Sequence, residues 1–150
     1  MKIEEAIRQR KPMSPLHKVM INLIYTYHWH MEQAAAIFKP FGLTAQQYNV
    51  LRILRGRYPE AAPVGEVKAV LLDKNPDLTR LCDRLVEKQL LERGLNCQNR
   101  REVLLKITPT GLDLLARIDP VFAEISKEWE TLNPEEAETL SNLLDKLRGA

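Results

Sequence analysis

The segment from Asn75 to Thr110 constrains the fold of this 150-residue chain more than any other. It opens with Asn75-Pro76, an N-cap side chain followed by a proline at the one helical position that needs no N–H group. Apolar residues then recur at the spacing of a helix with a single buried face. They are Leu78, Leu81, Cys82, Leu85 and Val86. We therefore predict a helix that begins at Asn75-Pro76 and turns a polar face to solvent.

Two short apolar runs follow this helix, with a polar and basic stretch between them. The runs begin at Leu90 and at Val103, and the stretch between them ends in Asn99-Arg100-Arg101. Thr108-Pro109 then repeats the cap-plus-proline signal and starts another helix. A helix followed by a β-hairpin with an arginine-bearing tip is typical of a winged helix-turn-helix. Such a helix fits the DNA major groove, and arginines at the tip can reach phosphates or the minor groove.

The residues before this segment supply the rest of the module. Thr44 with Gln47 has the spacing of a capping box and starts one helix. The stretch 64–72 is short and amphipathic, and Asp73-Lys74 forms a tight turn into the next helix. Two short helices joined by a short turn are the geometry of a helix-turn-helix. The fold class is therefore predicted to be mainly α with a small β-hairpin wing.

Composition limits the class of protein. A chain of this length is expected to form one domain. Its content of 45% hydrophobic and 28% charged residues is ordinary for a globular protein. No apolar run approaches the roughly 20 residues of a membrane span, and no signal-peptide pattern is present, so we expect a cytoplasmic protein. Cys82 and Cys97 form no metal-binding pattern, and we expect neither a disulfide, nor a metal, nor a cofactor.

The net charge of +2 conceals an asymmetry. Residues 93–106 contain four basic side chains and one acid, whereas residues 124–150 contain three basic side chains and seven acids. The first region suits a polyanion and the second does not. Two solvated surfaces without any partner explain these charges equally well.

Apolar helices flank the predicted module on both sides. We assign one domain to residues 1–150, with the winged helix-turn-helix at 44–118, dimerisation helices at 14–39 and 119–148, and a mobile arm or frayed helix over the first dozen residues. The flanking helices carry more apolar surface than the module covers, and pairing with a second copy would bury it. A symmetric homodimer places two recognition helices roughly 34–36 Å apart, which suits double-stranded DNA with a palindromic operator.

The order and spacing of several short motifs resemble the multiple antibiotic resistance regulator (MarR) family of bacterial transcription factors. These motifs are Gly42-Leu43-Thr44 with Gln47-Tyr48-Asn49-Val50-Leu51, the run from Leu78 to Arg93, Asn99-Arg100-Arg101 in the wing, and Ile107-Thr108-Pro109-Thr110-Gly111. Three features depart from the family pattern. They are Asn99 in place of an acid, Gln89 in place of a glycine, and Val67-Lys68-Ala69-Val70 in place of a Leu-Ala pattern.

The resemblance implies a dimeric DNA-binding repressor or, less often, an activator. It also implies that a small phenolic or otherwise aromatic ligand, or an oxidant, alters DNA affinity from a cleft between the dimerisation helices and the winged module.

The candidate DNA-binding residues lie on the recognition helix and the wing. Arg100 and Arg101 at the tip are candidates for phosphate or minor-groove contact, with a solvated hairpin tip as the alternative. Arg80 and Arg84 are one turn apart and share one helix face, although Arg84 is also placed to pair with a neighbouring acid. Asn75, Asp77 and Thr79 sit in the first turn, where helices of this kind contact base edges. Lys74 precedes that turn and is a candidate for a phosphate contact. Capping alone also explains Asn75.

Aromatic residues cluster in the first long helix, between Tyr25 and His30. The first candidates for contact with an aromatic ligand are His28, Trp29 and Tyr48. A place in the core or the dimer interface is the alternative reading. His28 and His30 are two residues apart and point to different faces, so a metal pair is not expected.

Three function classes compete with a DNA-binding regulator. An enzyme is disfavoured, because the sequence offers no nucleophile with an ordered base, no glycine-rich phosphate loop and no carboxylate pair in a cleft. A winged-helix protein-interaction module would explain the acids Asp77, Asp83 and Glu87 on the helix face, which repel phosphates. An oxidant sensor would act through Cys97, a hairpin thiol among arginines that favour the thiolate, against which stands an exposed and idle cysteine.

Overall fold

A computed structural model of the chain describes residues 1–73, 77–97, 99, 102–127 and 131–149. These residues form seven α-helices and one three-stranded antiparallel sheet. The helices are α1 (Ile3–Ala6), α2 (Pro15–Phe38), α3 (Ala45–Arg55), α4 (Val64–Val70), α5 (Leu78–Glu87), α6 (Pro109–Lys127) and α7 (Pro134–Leu147), and the strands are β1 (Ala62–Pro63), β2 (Leu91–Leu95) and β3 (Val103–Ile107). The predicted mainly helical fold with a small wing is confirmed. Within the described residues, no helix combines the length and apolar character that a membrane span needs.

Side-chain caps fix the starts of three helices, and the one at Thr44 lies where the sequence predicts it. Ser14 accepts a hydrogen bond from the backbone N–H of His17 at 3.3 Å and starts α2. Thr44 and Gln47 form a reciprocal capping box with both bonds at 3.1 Å, which starts α3. Asn133 and Glu136 form a second box, with both bonds at 2.9 Å, which starts α7. Each box satisfies two backbone N–H groups that have no partner inside the helix.

The predicted start of the recognition helix at Asn75-Pro76 is wrong. Helix α5 begins at Leu78, and the side chain of Asp77 accepts from the backbone N–H of Arg80 at 3.1 Å as its N-cap. Aspartate caps a helix as well as asparagine does, and here the cap lies directly before the first buried residue of the helix. Lys74, Asn75 and Pro76 lie outside the described residues.

Of the first dozen residues, only Ile3–Ala6 form a helix, so the predicted frayed helix covers a small part of that segment. Helix α1 packs against α2 and buries the side chain of Ile3, which is 6% exposed. The carboxylate of Glu4 forms an ion pair with the ammonium of Lys18 on α2. The hydrogen bond from the Lys18 side chain, and to a smaller extent the positive charge of Lys18, lower the pKa of Glu4. The segment therefore covers one side of the long helix α2.

The core lies beneath the helix-turn-helix and extends into the sheet. Strand β3 is the central strand, and it pairs antiparallel with β1 on one side and β2 on the other. The register of the wing sets Leu91 opposite Ile107 and Leu95 opposite Val103. Large side chains with almost no exposure come from α3, α5, both wing strands and α6. They are Leu51, Leu54, Leu85, Leu91, Leu105, Ile107, Leu115 and Ile118.

Helix α5, the wing and α6 meet at one junction. The hydroxyl of Thr108 donates to the carbonyl of Gln89 at 2.7 Å and accepts from the N–H of Gly111 at 3.0 Å, so that it caps α6. The N–H of Thr108 donates to the carbonyl of Leu90 at 3.2 Å. A Cβ on Gly111 would lie 2.4 Å from that same carbonyl oxygen, a distance that no side chain tolerates. Glycine is therefore required there by the close approach of α6 to the first residues of the wing.

Gln89 adopts the left-handed conformation, with φ of 58°, at the end of α5. The N–H of Leu90 donates to the carbonyl of Leu85 at 3.0 Å, and the N–H of Gln89 donates to that of Val86 at 2.8 Å. These two bonds form a Schellman motif, which usually has glycine at this position. Gln89 therefore occupies a conformation that costs a non-glycine residue roughly 1–2 kcal/mol.

Helix α6 runs through Pro120 without interruption. The sequence predicts a kink or a restart there, because proline lacks the N–H that bonds the preceding turn. The predicted boundary between residues 118 and 119 falls inside this helix, so the winged module and the second flanking region share it.

The conformation of the junction gives a stability prediction. Replacing Gly111 by alanine should lower the free energy of unfolding by about 1–3 kcal/mol, since the new Cβ overlaps the Leu90 carbonyl and the Ile107 side chain. Gly65→Ala is the matched control: its Cβ would meet nothing within 4 Å, and in α4 alanine should be neutral or stabilise by up to about 1 kcal/mol. Urea unfolding measures both variants. Equal stability of the two would contradict the close approach.

Candidate nucleic-acid interface

Helix α5 presents one apolar and one polar face. Its apolar residues Leu78, Leu81, Cys82 and Leu85 are all buried. Helix α5 packs against α3 on one side and against β2 on another, so the rest of its surface faces solvent. The exposed side chains of α5 are Thr79, Arg80, Asp83, Arg84, Val86 and Glu87. Val86, which the sequence predicts to belong to the buried stripe, is 37% exposed.

Arg80 and Arg84 have unpaired guanidinium groups within the part of the chain that the structure describes. Both arginines line a shallow hollow of about 250 Å³ between α5 and the first turn of α3. Thr44 and Gln46 form the α3 side of this hollow. A helix N-terminus carries partial positive charge, so it adds to the field of the two arginines. This surface is suited to a phosphate or to the edge of a base.

Gln46 was missed by the sequence reasoning, and it holds the loop before the recognition helix. Its side-chain amide donates to the carboxylate of Asp73 at 2.7 Å. Asp73 ends the described part of the turn that joins α4 to α5. The only signal in the sequence was the position of Gln46 in the first turn of a predicted helix.

The acids of the recognition helix are largely engaged. Asp77 caps α5, and the carboxylate of Asp83 binds the guanidinium of Arg93 at 2.5 Å. Glu87 makes no ion pair with any described residue. The carboxylates that favoured a protein-interaction module are thus mostly occupied in holding the helix and its neighbours.

Arg93 of β2 connects the wing to the recognition helix. Besides Asp83, it donates to the backbone carbonyl of Thr79 at 2.9 Å. It spans 10 and 14 residues of sequence to reach these two partners. In the sequence, Arg93 counts among the basic side chains of the wing. In the structure its guanidinium faces α5 and is bonded to it.

The described part of the wing closes through its own polar groups. The side-chain amide of Asn96 donates to the carboxylate of Glu102 at 2.6 Å. The N–H of Glu102 donates to the carbonyl of Asn99 at 2.9 Å. Arg100 and Arg101, the predicted tip contacts, lie outside the described residues.

The three predicted ligand contacts do not come together. His28 and Trp29 line one hollow on α2, whereas Tyr48 lies in the core and is 7% exposed. The Tyr48 ring stacks on Phe38 with centroids 4.1 Å apart and on Phe122 at 6.0 Å. Burial raises the pKa of the Tyr48 phenol, so this group stays protonated at neutral pH.

The two cysteines differ in environment. Cys82 is buried beneath the recognition helix, and burial raises the pKa of its thiol against the opposing effect of Arg93. Cys97 is exposed in the wing. Among the residues described, no group of three or more His, Cys, Asp or Glu side chains is placed to hold a metal ion.

Several solved structures are similar to this chain along most of its length. A MarR transcription factor from Planctomyces limnophilus shares 33% sequence identity and aligns over 93% of this chain and 100% of that protein, with a TM-score of 0.68. BpsR of Bordetella bronchiseptica, whose DNA binding is regulated by 6-hydroxynicotinic acid, shares 26% identity over 93% of this chain and 99% of its own, with a TM-score of 0.78.

A mutant of MarR from E. coli, solved in complex with operator DNA, shares 29% identity. The alignment covers 89% of this chain and 99% of that protein, with a TM-score of 0.70. No protein-family model matches the chain.

The difference between the two thiols gives a second prediction. With Ellman's reagent at pH 8, one thiol per native chain should react rapidly, and Cys97→Ser should remove this phase. Cys82 should react only after denaturation, because burial and a raised pKa both reduce its accessible thiolate. Two equally fast thiols in the native protein would contradict the burial of Cys82.

Proposed function

Since this chain belongs to the MarR family of winged-helix transcription regulators, we propose that it is a homodimeric repressor that binds palindromic operator DNA. The observation that carries the proposal is the pair Arg80 and Arg84, which stands exposed and unpaired on α5 within the described residues. The family consists of transcription regulators rather than enzymes, in agreement with the sequence prediction.

The recognition helix is proposed to enter the major groove. Thr79 and Arg80 lie in the first two turns of α5, where helices of this kind touch base edges. Arg84 lies one turn further along the same face and faces the same hollow as Arg80. Arginine makes two hydrogen bonds to guanine, which is the commonest specific contact in this groove. Asp77 is proposed to act through its cap, by fixing the first turn of the helix.

The remaining contacts are proposed from the sequence. Arg100 and Arg101 at the wing tip reach phosphates or the minor groove, as arginines do in minor-groove arms. Lys74 is proposed to contact a phosphate, and Asn75 is proposed to contact a base edge. Because Asp83 is neutralised by Arg93, the wing and α5 meet without leaving that negative charge beside the phosphates.

The homodimer is supported by apolar surface that the single chain leaves uncovered. Helix α7 has no buried residue, and its apolar residues Leu140, Leu143 and Leu147 are 42–58% exposed. Helix α2 exposes apolar residues along most of its first half. They are Leu16, Val19, Met20 and Ile24. A second copy that covers these two helices also sets the distance between the two α5 helices.

A small aromatic ligand is proposed to modulate operator affinity. The DNA binding of BpsR is regulated by such a molecule, 6-hydroxynicotinic acid. His28 and Trp29 are the proposed contacts, because Tyr48 has little surface to offer. A regulator of this kind works where the chromosome is, and we propose a cytoplasmic location on that ground.

Binding to the intergenic DNA upstream of its own gene tests the proposal. Arg80→Ala should weaken binding by about 1–3 kcal/mol, because alanine cannot bond to a base edge. The Arg100→Ala/Arg101→Ala variant should instead flatten the slope of log K against log salt by roughly 0.9 for each phosphate that the wing no longer neutralises. Fluorescence anisotropy over a salt series measures both quantities.

Arg148→Ala is the matched control for these variants. It removes the same charge from the C-terminal end of α7, where Arg148 pairs with Asp145. It should leave both the affinity and the slope unchanged. If the wild-type protein bound neither this DNA nor any member of a random DNA pool, the repressor would be excluded in favour of a protein-interaction module.

The dimer is tested by mass in solution. Light scattering should give twice the chain mass of 17.3 kDa for the wild type. Leu143→Glu should shift the protein toward the monomer, because a charge is placed in the proposed interface. Val70→Glu, at an exposed apolar position of α4, should remain dimeric. A monomeric wild type at micromolar concentration would exclude the homodimer.

A further inference from the structure

We propose that a hollow between the N-terminal segment and α2 binds a small aromatic amine in its protonated form. The proposal rests on the ligand-modulated regulation proposed above and names the chemical class of the ligand. The hollow has a volume of about 340 Å³, within the range of small-molecule sites. Its lining consists of Ile7, Ile21, Ile24, Tyr25, His28, Trp29 and Glu32.

The N-terminal segment builds one wall of this hollow. Ile7 follows directly after α1, which is held on α2 by the buried side chain of Ile3 and by the ion pair of Glu4 with Lys18. On α2, Tyr25, His28 and Glu32 follow one another at helical spacing and form a continuous stripe. Together the segment and the stripe enclose space that a bare helix surface would leave open.

The lining chemistry favours an aromatic ring with a positive charge. Tyr25 and Trp29 both contribute aromatic side chains to the lining, and Tyr25 is 45% exposed. Glu32 makes no ion pair with any described residue, so its charge is not compensated there. A carboxylate beside two electron-rich rings attracts an ammonium group through an ion pair and through cation–π contact. The same carboxylate repels an anionic ligand.

The hollow and the exposed apolar face meet at Ile24, which belongs to both, and beyond it they lie on different sides of α2. Met20 and Tyr27 belong to the exposed face, whereas Tyr25 and Glu32 belong to the hollow. At 100° per residue, Met20 and Tyr25 point in directions roughly 140° apart. A second copy that packs around Met20 therefore leaves the side of the hollow formed by Tyr25 and Glu32 accessible.

Helix α2 also links the hollow to the winged module. Its last turn buries Ile37 and Phe38, and the Phe38 ring stacks on Tyr48 of α3. Helix α3 in turn packs against α5. A ligand that draws the N-terminal segment against α2 thus acts on the helix that both pairs the subunits and supports the recognition helix.

Two probes of nearly the same shape and opposite charge test the assignment. Phenethylamine and 3-phenylpropionate are titrated into the full-length protein, and binding is followed by isothermal calorimetry. The amine should bind at least about tenfold more tightly than the acid, because only the amine pairs with Glu32. Saturating amine should also change operator affinity. Equal affinity for the two probes, no binding of either, or an unchanged operator affinity would overturn the proposal.

The Glu32→Gln variant separates charge recognition from packing. It should bind the amine about tenfold more weakly and bind neutral phenethyl alcohol as the wild type does. Glu138→Gln on α7 removes a carboxylate elsewhere and should change neither affinity. Unaltered amine binding by Glu32→Gln would exclude this carboxylate as the recognition group.

Operator binding in the absence of any probe distinguishes the two proposals. If the wild type binds the operator but the amine fails, the assignment of the hollow is wrong and the repressor stands. If the wild type binds no operator, the repressor itself fails, and the calorimetric result then bears only on the hollow.

Discussion

The close approach of α6 to the carbonyl of Leu90 is the constraint on which the arrangement of this molecule depends. At that point the recognition helix ends, the wing begins and α6 takes its first turn. The Thr108 hydroxyl bonds to the carbonyl of Gln89 and to the N–H of Gly111, so it joins two of these elements directly. With no Cβ on Gly111, the backbones meet without an intervening side chain. The angle between the recognition helix α5 and helix α6 is therefore set by contact between backbone atoms.

Charge pairing adds a second level of order to the same region. An exposed ion pair contributes little to stability, typically about 0–1 kcal/mol. The pair of Arg93 with Asp83 nevertheless bears on the proposed recognition of DNA, because it changes which charged groups of α5 are left without an ion-pair partner. It neutralises an acid that would repel phosphate, while Arg80 and Arg84 form no ion pair with any described residue. The guanidinium also bonds the Thr79 carbonyl, so the wing and the helix present one continuous surface.

Sequence patterns within one helix or strand predicted those features of the structure that depend on neighbouring residues alone. The capping box at Thr44 follows from side-chain chemistry within four residues, and it lies where the sequence places it. Asparagine and aspartate both cap helices well, so the sequence alone does not choose between Asn75 and Asp77, and the structure shows Asp77 as the N-cap of α5. The separation of Tyr48 from Trp29 and the reach of Arg93 depend on how distant helices and strands pack. No periodicity within a single element encodes these contacts, which is why the fold was predictable and the detailed site was only partly so.

The continuity of α6 through Pro120 has a mechanical consequence. Its 19 residues form a rod of about 28 Å, at 1.5 Å of rise per residue. One end is locked to the wing and the recognition helix at Gly111, and the other reaches the flank that is proposed to pair with a second copy. A tilt of about 5° at one end would move the other by roughly 2.5 Å over this length. Helix α6 therefore amplifies small rotations. A small change of angle between two subunits would change the distance between their recognition helices by a large fraction of a base-pair step.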